Sequence, residues 1–130
     1  MLRRNILRTK MKKSFTEKVN EAAKEVQEID IFQLKHLLES KYNFSLVDIR
    51  EDEEIKSGVI EDSIHIGRGV LDRDIEAHIS DHSEEIVLYC ARGVRSILGA
   101  KTLQDMGYQK VFSLKGGISE WIESGFNLKE

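Results

Sequence analysis

The sequence predicts a single α/β domain with a five-stranded, mainly parallel sheet and helices on both faces. Two observations carry this expectation. Short apolar runs alternate with segments whose apolar residues recur at helical spacing, the pattern of parallel strands joined by crossover helices. Capping-box signals stand where the first two helical segments begin. The chain has 130 residues, no proline and no low-complexity linker, so one core suffices.

The first helix is predicted from Ser14-Phe15-Thr16-Glu17, in which serine and glutamate can satisfy each other's free amides. Phe15, Val19, Ala22 and Val26 form its apolar stripe, which places it on residues 15–27, packed outside the sheet. Val26 to Ile29 is read as a short first strand. Asp30-Ile31-Phe32-Gln33 starts a second helix with Ile31, Leu34, Leu37 and Leu38 on one face, and Tyr42 and Asn43 end it. Residues 44–49 are short and apolar enough for a buried strand, closing on Asp48-Ile49-Arg50. The acids at 51–54 suit a helix N-terminus, with Gly58 as its stop.

Ser63 to Ile66 is the third strand, Gly67-Arg68-Gly69 a turn, and residues 70–79 a helix carrying Val70, Leu71, Ile75 and Ile79. Ile86 to Tyr89 is the fourth strand. Ile97, Ala100, Leu103 and Met106 mark the next helix, stopped at Gly107. Val111 to Leu114 is the fifth strand, Gly116-Gly117 its exit loop, and Ile118, Trp121 and Ile122 one face of a last helix ending near Gly125.

Charged residues make up 33% and hydrophobic ones 40%, as in soluble globular proteins, and no apolar stretch approaches the roughly 18 residues of a membrane span. The net charge of -3 is uneven: six bases, from Arg3 to Lys13, precede the first acid, Glu17, leaving 14 bases against 23 acids. That acidic body argues against nucleic acid as a partner. Residues 1–13 are read as a basic, disordered lead before a domain over 14–130. A mitochondrial presequence is the alternative, and the expected location is cytoplasmic, consistent with one cysteine and no internal disulfide. His78 and His82 are four apart, yet no further ligand pattern accompanies them, so neither metal nor cofactor is expected.

The chemistry centres on Cys90, the only cysteine, which ends the fourth strand where parallel sheets place ligands. The loop Cys90-Ala91-Arg92-Gly93-Val94-Arg95-Ser96 leads into a helix. Its amides can curl into an anion nest, Gly93 lets the backbone turn, and Arg92 and Arg95 add positive charge. Such surroundings favour thiolate over thiol and can hold an anionic substrate beside it. Cysteine phosphatases use Cys-x5-Arg around a phosphate. Here Cys90-x4-Arg95 is one residue shorter, and Tyr89 replaces the histidine usual before a tyrosine-phosphatase cysteine. A smaller ring suits a single sulfur atom.

With these residues in order, the chain resembles the rhodanese family, as a single-domain thiosulfate sulfurtransferase, over about residues 26–127. Asp48-Ile49-Arg50-Glu51, Ile64-His65-Ile66-Gly67-Arg68-Gly69, the Cys90 loop and Leu114-Lys115-Gly116-Gly117 with Trp121 and Gly125 each match a family segment. The sequence departs from the family at Gly58-Val59-Ile60-Glu61, where Gly-His-Ile-Pro is frequent, and at Gly67, where many relatives have proline. The resemblance implies a Cys90 persulfide formed from a small anionic sulfur donor and passed to cyanide or a thiol, including a protein thiol. It implies that Ala91, Arg92, Gly93, Val94 and Arg95 hold the persulfide and steer the donor. Asp48 and Arg50 would organise the site, and Arg68 would face it. A monomer or weak dimer is expected. The alternatives are a noncatalytic binding module of the same fold, and more weakly a cysteine phosphatase or arsenate reductase.

Overall fold

The computed structural model describes residues 12–130, and the expectation for the basic lead falls almost entirely outside them. The elements, in chain order, are α1 (Phe15–Ala23), β1 (Gln27–Ile29), α2 (Ile31–Glu39), β2 (Ser45–Asp48), α3 (Asp52–Ile55), β3 (Ser63–His65), a 3-10 turn (Arg68–Val70), α4 (Leu71–His78), β4 (Glu85–Tyr89), α5 (Arg95–Asp105), β5 (Lys110–Leu114) and α6 (Gly117–Glu123). The five strands form one parallel sheet in the order β1-β5-β4-β2-β3. The edge strands β1 and β3 have only three residues each, which limits the backbone they offer to another chain.

Residues of β4 alternate between two cores. Ile86, Leu88 and Cys90 join residues of α1, α4 and α5 on one side. Val87 and Tyr89 join Ile31 and Leu34 of α2 and Ile118 and Trp121 of α6 on the other. All five of these β4-to-Cys90 residues are at most 1% exposed, as expected for a central parallel strand covered on both faces. Burying each large aliphatic side chain contributes roughly 1.5–3 kcal/mol.

Both predicted capping boxes are present. Glu17 N donates to Ser14 Oγ at 3.1 Å, and Gln33 N donates to Asp30 Oδ1 at 2.8 Å. The structure differs from expectation in four places. Helix α1 stops at Ala23, and Val26 is a core residue just before β1 rather than part of it. The segment at Arg68 is a 3-10 helix, not a simple turn. Ile122 is half exposed, and the buried residues of α6 are Gly117, Ile118 and Trp121. Gly116-Gly117 does not lead away from the sheet; Gly117 is the first residue of α6.

Candidate active site

Cys90 lies one residue beyond β4, at the carboxyl edge of the sheet and on the Leu88 side. No side chain caps α5, so the amides at its start are free for another acceptor. The cysteine sulfur takes two of the loop's amides. Gly93 N donates to Sγ at 3.2 Å and Ser96 N at 3.4 Å. Below it, the thiol points to Ser96 Oγ at 3.6 Å, which is 2.6 Å from Ser113 Oγ on β5. Both hydroxyls are fully buried and paired with each other, as buried polar groups must be.

Two glycines close this cup. Gly93 has φ +88°, and a Cβ there would stand 3.0 Å from both Leu114 O and Gly116 N. Gly117 has φ +58°, and its Cβ would be 2.5 Å from Cys90 O. That close approach lets the start of α6 grip the loop from outside: Ile118 N donates to Cys90 O at 3.0 Å and Ser119 N to Ala91 O at 2.9 Å. The loop is thus held by amides on both sides, its own pointing inward to sulfur and those of α6 pointing at its carbonyls.

The charged residues take distinct places. Asp48 and Arg50 form a buried, forked pair, with Arg50 Nε 3.0 Å from Oδ1 and Nη2 2.8 Å from Oδ2. Arg50 also donates to Glu54 O at 3.2 Å and Gly58 O at 2.8 Å, tying α3 and the segment after it to the end of β2. Burial works against the Arg50 charge, yet the hydrogen bonds and charge of Asp48 raise its pKa. Beside it, burial and then the Asp48 charge push the Tyr89 hydroxyl well up, and that hydroxyl accepts from Ile60 N at 3.1 Å on the far side of the sheet from the cysteine.

Arg95 and Arg92 divide. Arg95 makes a bidentate pair with Glu54, Nη1–Oε1 at 2.7 Å and Nη2–Oε2 at 2.8 Å, so its fork is occupied and not open to a donor as expected. Its pKa is raised chiefly by that hydrogen bond, with Cys90 near enough to add to it. The hydrogen bond from Arg95 is also what holds the Glu54 carboxyl down at about 2. Arg92 is exposed at the loop's tip beside Val94, and no ion pair joins it to a described residue. Arg68 sits apart: it lines a groove of about 710 Å³ with Lys18, Leu98, Lys101 and Thr102, in which no residue of the Cys90 loop takes part. Of the two histidines spaced for a metal, His78 bonds Asp74 O and His82 stacks on Tyr108.

Three site groups have no assigned role in the sequence reading: the Glu54 carboxylate, which reads there as a helix-start acid, and the hydroxyls of Ser96 and Ser113. The one local signal is the departure of Ser113 from an otherwise apolar strand.

The model of the rhodanese-like domain matches residues 32–124. The chain belongs to the rhodanese-like family. It is 34% identical to YtwF of Bacillus subtilis over 97 residues, 75% of this chain and 91% of that one. It is 33% identical to a sulfurtransferase of Allochromatium vinosum over 100 residues, 77% and 92% of the two chains. A solved structure from Rhodopseudomonas palustris, RPA3614, described as of unknown function and a possible tyrosine phosphatase, superposes with a TM-score of 0.85 at 29% identity, covering 92% of this chain and 96% of that one. The rhodanese-like fold and the sulfurtransferases among its relatives support a general sulfurtransferase role.

Proposed function

We propose that this rhodanese-like protein moves a sulfane sulfur from thiosulfate, or a similar small anionic donor, through a persulfide on Cys90. The observation that carries the reading is the convergence of Gly93 N and Ser96 N on Sγ within the short Cys90-x4-Arg95 loop. The Cys90 thiolate attacks the outer sulfur of thiosulfate. The donor's S–S bond breaks, its electron pair leaves on sulfite, and a new S–S bond joins that sulfur to Sγ. Cyanide or a thiolate then attacks the outer sulfur, takes it as thiocyanate or a new persulfide, and returns the Cys90 thiolate. The sequence is covalent, nucleophilic catalysis with ping-pong kinetics, and it calls for neither metal nor cofactor. The loop amides hold the negative charge that sits on the outer sulfur of the persulfide.

Cys90 is 1% exposed, so a donor meets it end-on, through its outermost atom. That access favours a single sulfur over a phosphoryl group with its three equatorial oxygens. The likeness to RPA3614 makes the phosphatase reading worth testing directly. Incubation with thiosulfate should add the mass of one sulfur atom to the intact protein, and cyanide should then remove it as thiocyanate. Cys90→Ser should do neither. Wild-type protein that gains no sulfur and forms no thiocyanate after reduction overturns the proposal in favour of a noncatalytic module. Cys90-dependent hydrolysis of an aryl phosphate would favour a phosphatase.

A further inference from the structure

We infer that Glu54 is a positioning residue for Cys90: through its two hydrogen bonds to Arg95 it fixes the end of the loop whose amides converge on the sulfur. The inference rests on the reading of Cys90 as the reactive group, and it gives a role to an acid that the sulfur-transfer steps themselves do not use.

The geometry runs in one line from the sheet to the sulfur. Asp48 ends β2 and clamps Arg50, and Arg50 holds the Glu54 carbonyl at 3.2 Å. The backbone of Glu54 is therefore fixed from the core side. Its carboxylate takes both arms of the Arg95 guanidinium at 2.7 and 2.8 Å, and Oε1 also accepts from Glu51 N at 2.9 Å. Arg95 is the first residue of α5. The next amide, Ser96 N, is one of the two that reach Sγ, and the Ser96 hydroxyl is the group beneath it. A forked contact fixes direction as well as distance, which a single lysine–carboxylate contact does not. The Glu54 carboxyl, held at about 2 chiefly by Arg95, is ionised throughout the neutral range.

Positioning and simple charge balance predict opposite signs. If Glu54 only cancelled the Arg95 charge, removing its carboxylate would expose a cation near Cys90 and make the thiol more reactive at pH 7. If it positions the loop, the amides lose their aim and reactivity falls. The test is the rate of Cys90 alkylation by iodoacetamide in the full chain, read beside the thiosulfate kinetics. Glu54→Gln keeps the side-chain volume and an acceptor for Glu51 N. Glu54→Asp keeps the charge but is one methylene too short to span the fork. Positioning predicts that both variants slow alkylation roughly tenfold, and that kcat falls with KM for thiosulfate little changed. It also predicts that Glu54→Gln combined with Arg95→Gln is no slower than either alone, since coupled residues do not add.

Faster alkylation in Glu54→Gln, or a Glu54→Asp protein that matches wild type, overturns the inference. So does an unchanged rate in both. Thermal melting of each variant separates a displaced loop from a lost fold: a variant whose midpoint stays near wild type reports on the loop alone. Alkylation needs no sulfur donor. A protein that transfers no sulfur, yet shows the predicted slowing, would overturn the proposed reaction and leave this inference standing.

Discussion

Two forked arginine–carboxylate pairs lie within a few residues of each other, and they differ mainly in burial. In Asp48–Arg50 the side chains are 0% and 5% exposed; in Glu54–Arg95 they are 33% and 29% exposed. The first pair ties the end of β2 to α3 and to Gly58. The second ties α3 to the start of α5, beside the sulfur. A buried charge left alone is expensive, while a half-exposed one is rescued by water. The inner pair should therefore govern whether the domain folds, and the outer pair where the loop stands. On this proposal similar chemistry serves stability in the inner pair and the placing of the loop in the outer one.

The largest effect expected from this contrast is on the inner pair. Asp48→Ala should lower the free energy of urea unfolding by about 3–5 kcal/mol, since Arg50 keeps its buried charge without its partner. The matching change outside, Glu54→Gln, should cost about 1 kcal/mol or less in the same measurement, because solvent screens the pair. A cost as large as that of Asp48→Ala would erase the distinction.

Acid should expose the outer pair in a second way. The folded Glu54 carboxyl titrates at about 2, below its unfolded value, so the folded state binds fewer protons between those two values. Its contribution is complete above about pH 4.5 and is lost as pH falls toward about 2. Urea midpoints followed from pH 5 to pH 3 should therefore fall slightly less steeply in Glu54→Gln than in wild type. Equal slopes would mean that the pair is not stabilising. The smallest effect on stability belongs to Arg92→Gln at the loop tip, within about 0.5 kcal/mol. Its effect should be kinetic: a higher KM for thiosulfate with kcat kept, and a difference that shrinks in high salt. An Arg92→Gln enzyme with unchanged KM would leave the donor to the backbone amides alone.

The parts of the molecule that follow from local pattern were legible in the chain. Both capping boxes, the short apolar runs of β2 and β4, the glycine stop at Gly107 and the cysteine at a strand end are all written in neighbouring residues. What escaped was pairing across distance. Glu54 and Arg95 are 41 positions apart, and Ser96 and Ser113 are 17. Arg95 reads from sequence as a free cation because nothing nearby announces its partner. Gly116-Gly117 reads as an exit loop because glycine pairs mark turns; only the fold shows that Gly117 is small so that the backbone of Cys90 can lie against it. For Arg68 the family resemblance implies a place facing the site, and the fold sets it in the groove beside Lys18 and Lys101.

The grip of α6 on the loop also sets an order in time. The carbonyls of Cys90 and Ala91 are satisfied by the amides of Ile118 and Ser119, which leave the ribosome 28 residues later. A growing chain that has reached only α5 carries its cysteine without the clamp that shapes the cup. The cup around the Cys90 sulfur is therefore complete only when nearly the whole domain has been made, so its shape and the fold arrive together.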